Sequence, residues 1–270
     1  MPSPNATIDL IDLRNLRRFR ADRAKFWEFQ DPFAQKPILE SDLDWDPATT
    51  PTQAEFRLTV AANRNFKVSG TNMTSALATL SGSGGITLTT AGANNDQALL
   101  NPATVNSAGT YLSSIGGSVG SSGTSPFLSA KQFYMRMVFS LSSVAAVRFV
   151  AGFKQTTTPT LATDNDQAYI GFDTAHSTAP TLFRGVTSVG GTDTDTADSG
   201  SVAVAASTNY NLEIIVDENR RPLYFINERN IATGPALTTP MAYWPVVGIQ
   251  ALTGAAKAIT IRHIALGRIL

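Results

Sequence analysis

Two histidines, a run of alternating aspartates and a few tyrosines and tryptophans are the residues of this 270-residue chain with the means for chemistry or recognition. His176 lies in Asp173-Thr174-Ala175-His176-Ser177, a loop pattern, and His263 lies inside an apolar alternation, Ile261-Arg262-His263-Ile264. Two isolated histidines do not make a three-histidine zinc site, and the absence of cysteine removes thiolate ligands and thiol nucleophiles. No G-x-S-x-G elbow opens a helix, so a serine hydrolase is not supported. The glycine-rich stretches at 81–85 and 114–123 lack the Gly-Lys-Ser/Thr ending of a phosphate loop and read as loops. A glycosidase needs two carboxylates facing each other across a cleft, about 5–10 Å apart. Phe133 to Leu141 and Val147 to Phe153 contain no glutamate, and Glu213 and Glu228 fall at hairpin positions. The expectation is therefore a protein that is not an enzyme.

What remains is binding. Asp193, Asp195 and Asp198, and likewise Asp164, Asn165 and Asp166, place oxygens at alternate positions, as a hard cation prefers. Calcium is thus the cofactor these residues would take, with solvated loop tips as the plainer explanation and no cofactor as the working expectation. Tyr111, Tyr169, Tyr243 or Trp244 could supply the aromatic platform of a sugar site, or could lie in the core. The parity of the surrounding residues leaves both open.

The elements that must position these residues change character near residue 50. From Thr7 to about Phe29, apolar Ile8, Leu10, Ile11, Leu13, Leu16 and Phe19 recur mostly three or four apart, as on one stripe of an amphipathic helix. Thr7 can cap its start, Asp9 and Asp12 sit in the first turns, and Arg14, Arg17, Arg18, Arg20, Arg23 and Lys25 gather toward the end, where cations complement the helix dipole. Pro32 and Pro37 stop the helix, and Asp42 to Pro47 continues as an extended acidic strip. Nine acidic and seven basic side chains are interleaved over residues 1–50, which argues against nucleic acid and for a protein partner. Arg14, Arg17, Arg18, Phe19, Phe26, Trp27, Phe29, Phe33 and Trp45 are the expected anchors, since aromatic and arginine side chains dominate interface energetics.

Residues 51–270 read as all-β. Phe56 to Val60 and Gly85 to Thr89 alternate. Further short runs rich in Val, Ile, Phe, Tyr and Thr cover Gln132 to Phe139, Val147 to Lys154, Ala168 to Phe172, Thr181 to Val186, Asn211 to Val216, Leu223 to Ile226, Val246 to Leu252 and Lys257 to Leu266. Strands without intervening helices imply antiparallel sheets packed as a sandwich or closed as a barrel. Asp217 to Pro222 forms the polar tip of a hairpin between two of them. Asn95-Asp96-Gln97-Ala98 and Asn165-Asp166-Gln167-Ala168 repeat one pattern, a polar turn entering a strand. Charge balances at 21 acidic and 21 basic residues, which gives no general pull toward nucleic acid or an anionic membrane. The first residues lack a signal-peptide pattern, and no apolar run reaches the ~18 residues of a membrane span.

Arg221-Pro222-Leu223-Tyr224-Phe225-Ile226-Asn227 resembles the return strand of the concanavalin A-like (laminin G-type) jelly roll. Thr239 to Leu266 is similar to the final strands of that fold, and Met135 to Gln155 with Asn165 to Asp173 to its central ones. The resemblance implies an antiparallel jelly-roll β-sandwich with an N-terminal helical and extended arm. In overall character the chain resembles tailed-bacteriophage structural proteins of this fold. That likeness implies a capsid decoration (cement) protein, a homotrimer bound through its arm to a major capsid protein on the virion surface, made in the host cytoplasm and touching neither membrane nor nucleic acid. The alternative is a carbohydrate-binding or receptor-adhesion module of a phage fibre or spike.

Overall fold

The structure, a computed structural model, describes residues 26–31, 38–39, 66–74, 77–82, 84–102, 127–128, 132–155, 164–196, 202–239 and 241–269. Within them the chain forms strands β1 (Phe26–Asp31), β2 (Ile38–Leu39), β3 (Phe66–Ser69), β4 (Ala78–Leu80), β5 (Ile86–Thr89), β6 (Gln97–Pro102), β7 (Phe127–Leu128), β8 (Phe133–Leu141) and β9 (Val147–Lys154). It continues through β10 (Gln167–Asp173), β11 (Arg184–Val189), β12 (Thr192–Thr196), β13 (Tyr210–Val216), β14 (Pro222–Ile226), β15 (Arg229–Thr233), β16 (Ala242–Ala251) and β17 (Ala258–Ile269). Among the described residues no helix is long and apolar enough to cross a membrane.

The strands make two sheets. The first runs β15-β14-β13-β8-β17-β5-β4, with β1 also on β17; the second runs β12-β11-β10-β9-β16-β6-β3-β2, with β7 also on β16. Every pairing is antiparallel except β2 with β3. Long β17 is flanked on one side by β8 and on the other by β5 over its first half and β1 over its second. Phe26↔Ile269 and Asp31↔Ile264 mark the ends of the β1 register.

The alternation of each strand decides which face it buries. On β8, Phe133, Met135, Met137, Phe139 and Leu141 all point inward; on β9, Val147, Phe149, Ala151 and Phe153 do the same. The two inner faces meet through rings. Phe139 stacks on Phe149 at 4.7 Å, and Phe133 meets Phe153 edge-on at the same 4.7 Å separation. Offset-stacked and edge-on pairs are the favoured aromatic arrangements. Phe183 sits among four such neighbours: Phe139 at 5.9 Å, Phe149 at 6.3 Å, Phe172 at 6.3 Å and Tyr210 at 4.9 Å.

A hydrogen bond joins the layers where this ring cluster ends. Tyr224, on β14 of the first sheet, is fully buried, and its hydroxyl donates to the Val186 carbonyl at 2.8 Å on β11 of the second. That spends its single proton, so Thr187 Oγ1, 2.6 Å away, must donate to the tyrosine oxygen. Gly185 lets the ring in: a Cβ there would lie 2.7 Å from the Ala232 Cβ and would overlap the Tyr224 ring. Gly85, entering β5, has a comparable role: its φ is +89, and an added Cβ would overlap the Ile261 carbonyl oxygen beside the β17 bulge at Arg262.

Most of the sequence-derived strands stand. The hairpin at Asp217–Pro222 joins β13 to β14, and Asp217 Oδ1 accepts from the Asn219 and Arg221 amides at 2.9 and 2.8 Å. The two Asn-Asp-Gln-Ala segments enter β6 and β10, which flank the β9–β16 pair on opposite sides of one sheet. Phe56 to Val60 lies outside the described residues. The expected helix is corrected at its end, because Phe26–Asp31 is extended and pairs with β17. Its aromatic-rich FWEFQD sequence suits a strand, and the helical spacing that ends at Phe19 does not extend across it. The remainder of that helix lies outside the described residues.

Burial raises the tyrosine hydroxyls of the interior. Tyr224 and Tyr243, both fully buried, are held well above the ordinary value of 10.0, in each case chiefly by desolvation. Tyr243 Oη has no hydrogen-bond partner, and the nearby Asp166 carboxylate adds to the shift. In the unfolded chain these groups ionise near 10, so above that pH the unfolded state has lost protons that the folded state keeps. Their contribution is fully present below pH 10 and is lost as pH rises. Tyr243→Phe isolates it: above pH 10 the variant should gain stability relative to the parent by up to about 1.4 kcal/mol per pH unit, read from urea midpoints. A gap independent of pH between 9 and 12 would remove the assignment.

Candidate functional site

Over β9 to β12 the outer face of the second sheet carries a row of charged side chains. Counting outward from the register, β9 presents Arg148, Val150, Gly152 and Lys154; β10 presents Gln167, Tyr169, Gly171 and Asp173; β11 presents Arg184, Val186 and Ser188; β12 presents Asp193 and Asp195. Several are deeply buried although they point away from the core, Arg184 at 6% and Lys154 at 2% exposure among them. Desolvation pulls the Lys154 ammonium below its usual value, partly offset by the Asp164 carboxylate.

A cleft of about 300 Å³ opens on this face, lined by Arg148, Val150, Tyr169, Gly171, Asp173, His176, Arg184, Val186, Asp193 and Asp195, with Phe149 and Phe172 beneath. Tyr169 is half-buried and its ring leans over Gly171, whose added Cβ would lie 2.9 Å from Tyr169 Cε2. Glycine at 171 therefore lets the ring lie along the sheet. Gly152, opposite Tyr169 on β9, gives the same strand room to approach, since a Cβ there would lie 2.7 Å from Tyr169 Cβ. Desolvation, with the Asp193 carboxylate next, pushes the Tyr169 hydroxyl up to about 12, so it is a neutral donor across the ordinary pH range.

The charges around the ring come in pairs. Arg148 Nε donates to Asp173 Oδ2 at 2.8 Å, across the β9–β10 register, and its Nη1 donates to Gln250 Oε1 on β16 at 3.0 Å. Arg184 Nη1 donates to Asp195 Oδ2, and Ser188 Oγ donates to Asp193 Oδ1. His176 Nε2 lies 3.0 Å from Asp195 Oδ2, while its Nδ1 faces the Thr178 and Ala179 amides at 3.3 and 3.2 Å. Those amides can only donate, so Nδ1 is the acceptor and the proton sits on Nε2, directed at Asp195. Such a histidine positions a carboxylate and has no lone pair to offer a substrate.

The sequence-derived candidates divide accordingly. Tyr169 is in the cleft. Tyr243 takes the core alternative: it is fully buried, on the inward parity of β16, and Phe133 lies 6.0 Å from its ring. Trp244 is half-buried on the outward parity, opposite Lys154. Tyr111 lies outside the described residues. Asp193 and Asp195 are strand residues bound to serine, arginine and histidine; Asp198 lies outside the described residues. Among the described residues no three His, Cys, Asp or Glu side chains converge as a metal site would require. Glu213 is on the other sheet, 2.5 Å from Arg136 Nε, and Glu228 is in the β14–β15 turn with φ 68, so neither borders the cleft. His263 lies within β17 as expected. Of the arm residues, Phe26, Trp27 and Phe29 lie on β1; Arg14, Arg17, Arg18, Phe19, Phe33 and Trp45 lie outside the described residues. Reading the sequence missed Arg148, Arg184 and the His176–Asp195 contact. Only the pairing of β9, β10, β11 and β12 brings them together.

No protein-family model matches this sequence, and no curated protein matches it. Solved structures do resemble it. The Emp47p carbohydrate recognition domain superposes with a TM-score of 0.54 at 12% identity, covering 92% of this chain and 99% of that one. The protein of unknown function SO2946 from Shewanella oneidensis MR-1 gives 0.51 at 13% identity, covering 100% and 95%. Bacillus licheniformis β-glucanase gives 0.49 at 10% identity, covering 88% and 97%. The fold is a concanavalin A-like jelly roll. At these identities the likeness speaks to architecture alone, and the function must be argued from the cleft.

Proposed function

We propose that this chain is a carbohydrate-binding jelly roll whose ligand lies in the cleft over β9 to β12. The observation that carries the reading is the Tyr169 ring, laid along the sheet over Gly171 and bordered by the Arg148–Asp173 and Arg184–Asp195 pairs. A sugar ring has one face of C–H groups and a rim of hydroxyls. The first packs on an aromatic surface, and the second needs donors and acceptors held at fixed positions. Paired arginine and aspartate supply both kinds without leaving a charge unbalanced when the site is empty of ligand. The resemblance to a carbohydrate recognition domain agrees with this reading. The capsid-attachment reading draws on residues 1–50, of which only β1 and β2 are described, and finds no comparable support.

Affinity electrophoresis of the full chain through gels holding soluble polysaccharides (glucans, mannans, galactans, uronans and fructans) tests the proposal. Retardation in at least one gel, reversed by free oligosaccharide, is expected. Unchanged mobility in every gel would overturn it.

A further inference from the structure

We infer that the cleft recognises a sugar carrying a carboxylate, gripped side-on by the guanidinium of Arg184; this rests on the carbohydrate-binding reading. Arg184 is 6% exposed, lines the cleft and has a buried Nε with no hydrogen-bond partner. Its Nη1 donates to Asp195 Oδ2, and among the described residues nothing accepts from Nε or Nη2. Those two nitrogens form one edge of the planar guanidinium, with two parallel N–H bonds aimed the same way. A buried charged donor left unpaired is costly, so the edge calls for an acceptor. A hydroxyl offers one oxygen and satisfies half of it. A carboxylate offers two at the matching separation and pairs the whole edge with charge.

The other charges of the cleft are engaged. Arg148 holds Asp173 through Nε and Gln250 through Nη1, and Asp173 Oδ1 also accepts from the Ala175 amide at 2.8 Å. Asp195 accepts from Arg184 and from the proton that His176 carries on Nε2. Asp193, which accepts from Ser188, is the one carboxylate beyond the two guanidinium groups of the lining. It is exposed on edge strand β12, where water and salt weaken its repulsion of an incoming anion. A pair formed on buried Arg184 is screened far less, so the attraction decides the sign.

Position relates the carboxylate to the rest of the sugar. Arg184 lies directly opposite Gly171 in the β10–β11 register, and the Tyr169 ring lies over Gly171. Aromatic platform and guanidinium are therefore side by side on the floor of the cleft. A pyranose packed flat on the tyrosine turns its substituents outward in its own plane, so a carboxylate on its rim points along the sheet toward Arg184. A volume of about 300 Å³ is at the small end of ligand sites, roughly 300–1,000 Å³, which favours a single ring lodged in the cleft with the rest of the glycan outside.

Calorimetric titration of the full chain tests this with matched sets of glucuronate, galacturonate and mannuronate oligomers, each beside its methyl ester and its C6-reduced neutral form. In one set the uronate should bind about ten-fold or more tightly than both neutral members. Arg184→Lys keeps the charge and gives up the two-pronged edge. It should cut that preference to about three-fold and leave the affinity of the neutral members unchanged. The ester comparison on the unaltered chain stands even where the lysine variant does not fold. A methyl ester that binds as tightly as its uronate in every set, with binding lost in Tyr169→Ala, would overturn the inference and leave carbohydrate binding intact. Failure of every oligomer to bind, beside retardation in a gel of neutral polysaccharide, would also overturn the inference alone. Failure here and in every gel would remove the proposed function with it.

Discussion

Tyr169→Ala is expected to weaken glycan binding about thirty-fold, roughly 2 kcal/mol, the loss typical of a central aromatic anchor. The ring is the only aromatic surface facing the cleft among the described residues that line it, since Phe149 and Phe172 point inward to the core. Its removal strips the apolar wall and leaves the hydroxyl-binding pairs without a surface to press the sugar against. Tyr169→Phe separates the ring from its hydroxyl. Because the ring carries the contact, the phenylalanine variant should stay within about three-fold of the parent. Both substitutions leave the core untouched, so thermal midpoints should move little. Alanine and phenylalanine variants that bind alike, whether well or poorly, would show that the ring is not the platform.

Phe183→Ala should have the largest effect on stability. The side chain is fully buried and touches rings from both sheets, so truncation leaves a cavity that four aromatic neighbours cannot collapse to fill. Phenylalanine-to-alanine changes in such cores cost about 3–5 kcal/mol, which for a domain of this size lowers the melting midpoint by roughly 10 °C. Phe183→Leu, which restores most of the volume, should recover more than half of the loss. The residue also precedes Arg184, so the alanine variant should loosen the cleft floor and weaken binding together with stability. A drop of under about 1 kcal/mol in urea midpoints would mean the cluster repacks, against the dense interdigitation described above.

How far the sequence speaks for this molecule depends on whether a strand has one buried face or two. β8 and β13 alternate inside and outside, and their pattern FYMRMVFSL and YNLEIIV is legible as strand. β16, AYWPVVGIQA, is apolar at nearly every position, so its identity as a strand was readable but its parity was not. That is why Tyr243 and Trp244 were indistinguishable as platforms until pairing with β9 fixed which one faces outward. β12, TDTDT, has no apolar residue at all, because an edge strand can satisfy its backbone from one neighbour and bury nothing; its alternating aspartates looked like cation ligands. β15 follows a tight turn built on Asn227 and Glu228 at positive φ, a geometry usually announced by Asn-Gly. The cleft was the least legible feature. Arg148 and Asp173 are 25 positions apart and His176 and Asp195 are 19, and only the sheet register makes neighbours of them.

The positions of β16 and β17 bear on how the chain is made. Each occupies the middle of its sheet, β16 between β9 and β6, β17 between β8 and β5, although both come after every other described strand. During synthesis, therefore, the nascent polypeptide carries two half-sheets whose inner edges stay open until β16 and β17 emerge from the ribosome. Those edges stay unpaired until the last two of the described strands are made, the condition under which chains associate wrongly. Any change that holds residues 258–269 away from β8 would leave the first sheet without its keystone strand, so yield in expression should respond far more to changes in that strand than the folded domain's stability would indicate.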